Sequence, residues 1–259
     1  MLPFTKGRVI LITGGALGLG RATAKLLAPV GARLVLADRD GEGARRAAAE
    51  LGIGDEAVGM EVDVLDWEQV QNMVQETVRR FGRLDGLVNT VGGSSGHGVR
   101  GARTIEELEI DDWDRTFALN VKSVFLCCRA AIPVMRAGGG GRIVNTSSIA
   151  GRSQSQLGGP QYAAAKAAVV GFTRQLAFQL AADHITVNAV APGPSLSERV
   201  SAIWDKRSEE TRQEILSRIP MHRLGDVNEL AAAVCYFLSD LSSYTTGHTL
   251  DVNGGLYMD

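Results

Sequence analysis

Arg8-Val9-Ile10-Leu11-Ile12-Thr13-Gly14-Gly15-Ala16-Leu17-Gly18-Leu19-Gly20 carries a short unbroken apolar run straight into a turn of small residues. A run of that length rich in Val, Ile and Leu reads as a strand buried on both faces. A helical pattern over 20–30 follows the glycines. The same alternation continues outward. Strands are expected at 8–12, 33–37, 57–61, 86–89, 142–146, 185–190 and 249–252, with helices at 20–30, 41–51, 67–81, 112–137, 161–182 and 227–238. Short apolar strands joined by helical crossovers imply a parallel sheet covered on both faces. Right-handed crossovers make it doubly wound. The fold class is α/β, one domain over 1–259 with about seven strands.

The glycine turn has the spacing T-G-x-x-x-G-x-G. Its glycines permit a tight turn and close backbone approach, and the helix that follows presents free N–H groups to a pyrophosphate. Gly14, Ala16, Leu17, Gly18 and Leu19 are therefore candidate cofactor residues. Asp38 ends the second strand, about 20 residues past the glycines, where a carboxylate accepts hydrogen bonds from an adenine ribose and repels a 2′-phosphate. Arg39 follows it and partly offsets that repulsion. Leu17 stands where a basic residue would help bind the phosphate. The pattern favours NAD and leaves NADP open.

Tyr162-Ala163-Ala164-Ala165-Lys166 places a phenol and an ammonium one helical turn apart. A nearby cation favours the phenolate, which turns Tyr162 into a candidate acid/base near neutral pH. Two stretches break the alternation. The polar loop 92–104 follows the fourth strand. The segment 192–220 follows the sixth and contains a helical pattern around 199–218. Both emerge at the carboxyl edge, where ligands of doubly wound sheets bind, so both are lid candidates. The quartet Gly138-Gly139-Gly140-Gly141 reads as a flexible turn.

Composition narrows the function classes. The 259 residues are 45% hydrophobic and 22% charged, with a net charge of -2 that gives no electrostatic case for nucleic acid. No run reaches the roughly 18 apolar residues of a membrane helix, and the first apolar run suits no signal peptide. Cys127, Cys128 and Cys235 fit neither a disulfide framework nor zinc spacing, and His97, His184, His222 and His248 do not cluster. No metal is expected. A reduced cytoplasmic protein is the simplest reading.

In this order the pieces resemble the short-chain dehydrogenase/reductase family. The resemblance runs from Arg8 to Asp251-Val252-Asn253-Gly254-Gly255 and rests on TGGALGLG, Asp63-Val64, Asn89, Asn120, Ser148, Tyr162, Lys166 and Pro192-Gly193. It implies a Rossmann-like fold and an NAD(H)-dependent oxidoreductase that interconverts a secondary alcohol and a ketone. Tyr162 would be the general acid/base. Lys166 would lower its pKa and bind the nicotinamide ribose. Ser148 would hold the substrate oxygen, preferred over Ser147 because the family's serine directly precedes an apolar pair and Gly. Asn120 would anchor a water leading from Lys166. Asp63 and Val64 would flank the adenine, and Asn89 would line the adenosine ribose. Val91, Gly92, Pro192, Gly193, Ser195 and Ser197 complete the cofactor set.

The family's usual Asn-Asn-Ala-Gly reads Asn89-Thr90-Val91-Gly92 here, and Ser195 and Ser197 replace its Ile and Thr after Pro192-Gly193-Pro194. Relatives acting on acyl-carrier substrates carry basic residues where this chain has 138–141 and Asp183, although the tail 253–258 resembles theirs. Val91-Gly92-Gly93 and Cys127-Cys128-Arg129 resemble dehydrogenases of ring cis-diols. A 3-oxoacyl thioester reductase, a cis-diol dehydrogenase and, more remotely, a non-catalytic dinucleotide-binding regulator are the alternatives. The substrate would lie between Ser148, Tyr162 and the nicotinamide, bounded by 93–95, 149–152, Gln154 and 194–196. Arg100, Arg103 and Arg152 read as solvated charges. The family also implies a homotetramer, built here through helices 112–137 and 161–182, the latter carrying Ala163, Ala167, Val170, Phe172 and Phe178.

Overall fold

A computed structural model describes residues 6–94, 104–154 and 158–259. In chain order it contains β1 (Val9–Thr13), α1 (Gly18–Leu27), β2 (Arg33–Asp38), α2 (Gly41–Ala49), β3 (Ala57–Glu61), α3 (Trp67–Phe81) and β4 (Gly86–Asn89). Next come α4 (Ile110–Phe117), a π-helical turn (Ala118–Lys122), α5 (Ser123–Ala137), β5 (Gly141–Thr146), α6 (Gly159–Leu180) and β6 (Ile185–Pro192). The chain ends with β7 (Ser195–Leu196), α7 (Glu198–Trp204), α8 (Glu209–Ser217), β8 (Gly225–Asp226), α9 (Val227–Leu238) and β9 (Thr249–Val252).

The seven long strands form one parallel sheet in the order β3-β2-β1-β4-β5-β6-β9. Alternate residues of each strand feed opposite layers, as the two-residue period requires. Leu11, Val35, Leu87, Ile143 and Val187 pack with residues of α3, α5 and α6 on one face. Ile10, Ile12, Leu34, Leu36, Val88, Val144 and Val190 pack with α1 and α9 on the other. Each fully buried side chain of this kind contributes on the order of 1.5–3 kcal/mol. That is why the strands read as unbroken apolar runs.

The chain leaves β1 in one direction toward β2 and in the other toward β4. Thr13 is in register with both Ala37 and Asn89. Gly14, Asp38 and Thr90 therefore emerge side by side at the carboxyl edge, where the strand order reverses and a crevice opens.

Three expectations need adjustment, and one feature was not expected. The helix expected over 112–137 is two helices joined by the π turn at Asn120. The helical pattern around 199–218 is also two helices, α7 and α8. A parallel bridge between β7 and β8, too short to leave a periodic signal, ties 195–196 to 225–226. Finally, the rod Ile110–Ala137 is long and apolar enough by composition to cross a membrane. It nevertheless buries Asp112, Thr116 and Asn120 and packs on α3 and α6, as a core helix does.

Candidate active site

The crevice is a cleft of about 720 Å³. Of the expected cofactor residues, Gly14, Leu17, Gly18, Leu19, Asp38, Arg39, Asp63, Val64, Val91, Gly92, Pro192, Ser195 and Ser197 line it. The glycine turn is as tight as its sequence suggests. A Cβ on Gly20 would stand 2.3 Å from the Gly14 carbonyl oxygen, so only glycine lets α1 start this close to β1. Thr90 closes the same corner by donating from Oγ1 to the Thr13 carbonyl at 2.6 Å. Asp38 is held from both sides, Oδ2 accepting the Ala16 N–H and Oδ1 the Asp40 N–H, each at 3.1 Å. Asp63 turns back on its own loop, its Oδ1 accepting the Leu65 N–H.

Ala16, Gly193 and Asn89 sit outside the lining, as do Asn120, Ser148, Tyr162 and Lys166. Ala16 is buried beneath the turn. Gly193 donates its N–H to the Val252 carbonyl and packs on Asn253. Asn89, expected beside the adenosine ribose, turns into the core, where its Nδ2 donates to Asn145 Oδ1 at 2.9 Å. Asn145 in turn donates to Thr173 Oγ1. This buried polar ladder links β4, β5 and α6, and it leaves the buried Asn89 Oδ1 without a hydrogen-bond partner among the described residues.

Behind Gly92 and Thr146, which line the cleft, Lys166, Tyr162 and Asn120 lie close to one another. Lys166 is 2% exposed, yet its ammonium donates to the Thr146 carbonyl at 2.8 Å and lies 5.7 Å from the centre of the Tyr162 ring. Burial lowers its pKa to about 8. Asn120 sits in the π turn, a distortion that recurs at functional sites. Its Nδ2 donates to the Thr116 carbonyl and to the Gly93 carbonyl, and its Oδ1 accepts the Gly93 N–H at 3.0 Å. Gly92 is wedged between the two: a Cβ there would stand 2.6 Å from Asn120 Oδ1 and 3.0 Å from Lys166 Nζ.

The structure separates the two serines. Ser147 is buried and donates to the Lys166 carbonyl, which ties β5 to α6. Ser148 is half-buried at the strand's end, and its Oγ accepts the Ala150 N–H at 3.2 Å.

Arg152 is not a solvated charge. It pairs with Asp251 at 3.2 Å and with Asp259, and lies 5.5 Å from the Tyr257 ring centre. Neither Asp251 nor Asp259 stands at a spacing that reveals the pairing, so sequence reasoning passed over it. Arg100 and Arg103, and most of the 92–104 loop, fall outside the described residues. Among the described residues no cluster of His, Cys, Asp and Glu could hold a metal. A second hollow of about 730 Å³, at the amino edge near Arg8, Arg142 and His184, holds none of the expected site residues.

Comparison with known proteins follows this geometry. Residues 14–257 match a family profile described as enoyl-(acyl carrier protein) reductase. The chain is 35% identical over 253 residues to the 3-oxoacyl-[acyl-carrier-protein] reductase FabG of Vibrio cholerae, covering 98% of each protein. It is 38% identical to the (2S)-[(R)-hydroxy(phenyl)methyl]succinyl-CoA dehydrogenase subunit BbsD of Thauera aromatica, covering 96% of each. The crystal structure of levodione reductase superimposes with a TM-score of 0.87 at 34% identity, over 96% of this chain and 97% of that one.

The chain belongs to the short-chain dehydrogenase/reductase family. This short-chain dehydrogenase/reductase is accordingly an oxidoreductase of alcohols and ketones that uses a nicotinamide dinucleotide. The cradle around Gly20, the tethered Asp38 and a cleft leading to Lys166 fit that cofactor.

Proposed function

We propose that the protein interconverts a secondary alcohol and a ketone with NAD(H), using Tyr162 as general acid/base. One observation carries the reading: a buried ammonium, Lys166, bonded to the carbonyl of Thr146 on the cleft wall and 5.7 Å from the centre of the Tyr162 ring. Asp38, held rigidly at the cleft's outer end, supports NAD over NADP, because a fixed carboxylate repels a 2′-phosphate.

The nicotinamide supplies the hydride chemistry when bound. The protein's part is positional and electrostatic. Ser148 Oγ, free of the strand's own ladder, orients the substrate oxygen. Tyr162 Oη takes the proton from that oxygen in oxidation and returns it in reduction. The Lys166 ammonium stabilises the phenolate. Asn120 holds the Gly92–Gly93 turn against the Lys166 head. Leu17, Leu19 and the adenine-side pair Asp63-Val64 shape the cofactor's path, and Ser195 and Ser197 offer polar groups to its nicotinamide half.

The similarity to FabG, and the tail 253–258, support a second reading in which the ketone is a 3-oxoacyl thioester. The oligomer we propose is a homotetramer, supported by apolar side chains left on the helices, Phe125 on α5 and Phe178 on α6. Three free buried thiols suit the reducing cytoplasm.

Initial rates followed by NADH absorbance, over ring cis-diols, sugars, hydroxysteroids and 3-hydroxyacyl thioesters with NAD and with NADP, test the whole reading. Turnover of one class with NAD, abolished in Tyr162→Phe while NADH still binds, is the expected result. Full activity in Tyr162→Phe would sink the catalytic assignment, and preference for NADP would sink the Asp38 argument.

A further inference from the structure

Leu17 occupies the N-cap of α1 and offers no side-chain hydrogen bond to the helix. The vacancy at that helix end is filled from far along the chain. Glu198, the first residue of the lid helix α7, accepts the Gly18 N–H at Oε2 over 3.0 Å. Its other oxygen, Oε1, lies 3.6 Å from Arg21 Nη1, and Arg21 also pairs with Glu50. Gly18, Ser197 and Glu198 all line the dinucleotide cleft.

We propose that Glu198 couples cofactor entry to the substrate lid: its carboxylate holds the phosphate-accepting end of α1 and yields it when a pyrophosphate arrives. The proposal rests on the dinucleotide reading of the cleft. The physical basis is charge. The N-terminus of a helix carries roughly half a positive charge and a few free N–H groups, and it favours one anion. A lid carboxylate and a pyrophosphate repel one another there. Arg21 gives the displaced carboxylate a nearby partner, so the exchange leaves no charge stranded.

The movement has a defined pivot. Ser195–Leu196 is pinned to Gly225–Asp226 by the β7–β8 bridge, so a shift of Glu198 passes into α7 and leaves Ser195 in place. Binding at the phosphate end would thereby reset the segment that covers the substrate.

The test is direct titration of NADH and ADP-ribose, which carry the pyrophosphate, and of adenosine, which lacks it, against wild type, Glu198→Gln and Glu198→Ala. Circular dichroism and thermal midpoints confirm that each variant is folded. Removing the charge is expected to tighten NADH and ADP-ribose by about two- to thirtyfold, the range of a helix-end charge interaction. It should leave adenosine unchanged and speed NADH association in stopped flow. Unchanged or weaker NADH binding in both variants overturns the proposal, as does an equal gain for adenosine. Failure of wild type and both variants alike to bind NADH would instead overturn the dinucleotide reading, and the proposal would fall with it.

Discussion

At the scale of single residues, Lys166 has two consequences that can be measured separately. Its pKa is lowered from 10.5 to about 8 by burial, so between those values the unfolded chain holds the proton more firmly than the native protein does. The buried ammonium therefore costs stability below pH 8, and the cost is relieved as pH rises toward 10.5. Denaturant titrations of wild type and Lys166→Met should show wild type gaining on the variant by roughly 3 kcal/mol from pH 7 to pH 10.5. A gap that stays constant would mean the native ammonium is not destabilised by burial. In the proposed mechanism the same ammonium supports the Tyr162 phenolate. Alcohol oxidation should then rise with pH and level off well below pH 10. A rise only near 10 would remove Lys166 from that role.

Individual site residues were legible to very different degrees. The Tyr162–Lys166 pair and the glycine turn were readable because one helical turn and one tight loop fix their spacing, whereas Asn120 entered only through the family resemblance. Asn89 misled because its motif position says nothing about which way its amide points. Glu198 on Gly18 and Arg152 on Asp251 were invisible, since each joins residues about 100 or more positions apart.

At the scale of elements, α9 shows how local sequence fixes a boundary. Asp226 caps it, its side chain accepting the Asn228 N–H, while Glu229 reaches back to the Asp226 N–H to complete a capping box. Arg223 clamps Glu229 from outside with two contacts, at 2.7 and 2.6 Å. The start at Val227 was therefore readable from Asp226-Val227-Asn228-Glu229. Replacing Asp226 by alanine should lower stability by about 1 kcal/mol, read from urea midpoints. A change within error would show that the Arg223–Glu229 pair holds the turn unaided. The π turn had no such signal, because it changes the winding without changing the apolar period. The β7–β8 bridge was unreadable for the opposite reason: two-residue strands have no period.

At the scale of the whole molecule, the doubly wound class was legible because strands buried on both faces lack polar alternation. How copies associate was expected only from the family resemblance, as a homotetramer through helices 112–137 and 161–182. Phe178 stands 85% exposed on α6, a large apolar ring on a helix face shared with the exposed Ala167, Gly171, Arg174 and Gln175. Phe178→Glu should lower the mass seen in sedimentation velocity, with the monomer fold retained by circular dichroism. Equal masses for variant and wild type would place the association elsewhere.

The sheet's last pairing also sets an order of events during synthesis. Strand β6 is complete by residue 192, but its outer neighbour β9 begins at Thr249. Asn188 on β6 donates to the Thr245 carbonyl and accepts the His248 N–H. A nascent chain stalled before residue 245 therefore presents an apolar strand with an open ladder and an unsatisfied amide, the kind of edge that recruits other strands. The segment 245–252 is what retires that edge, so a chain lacking it is expected to aggregate.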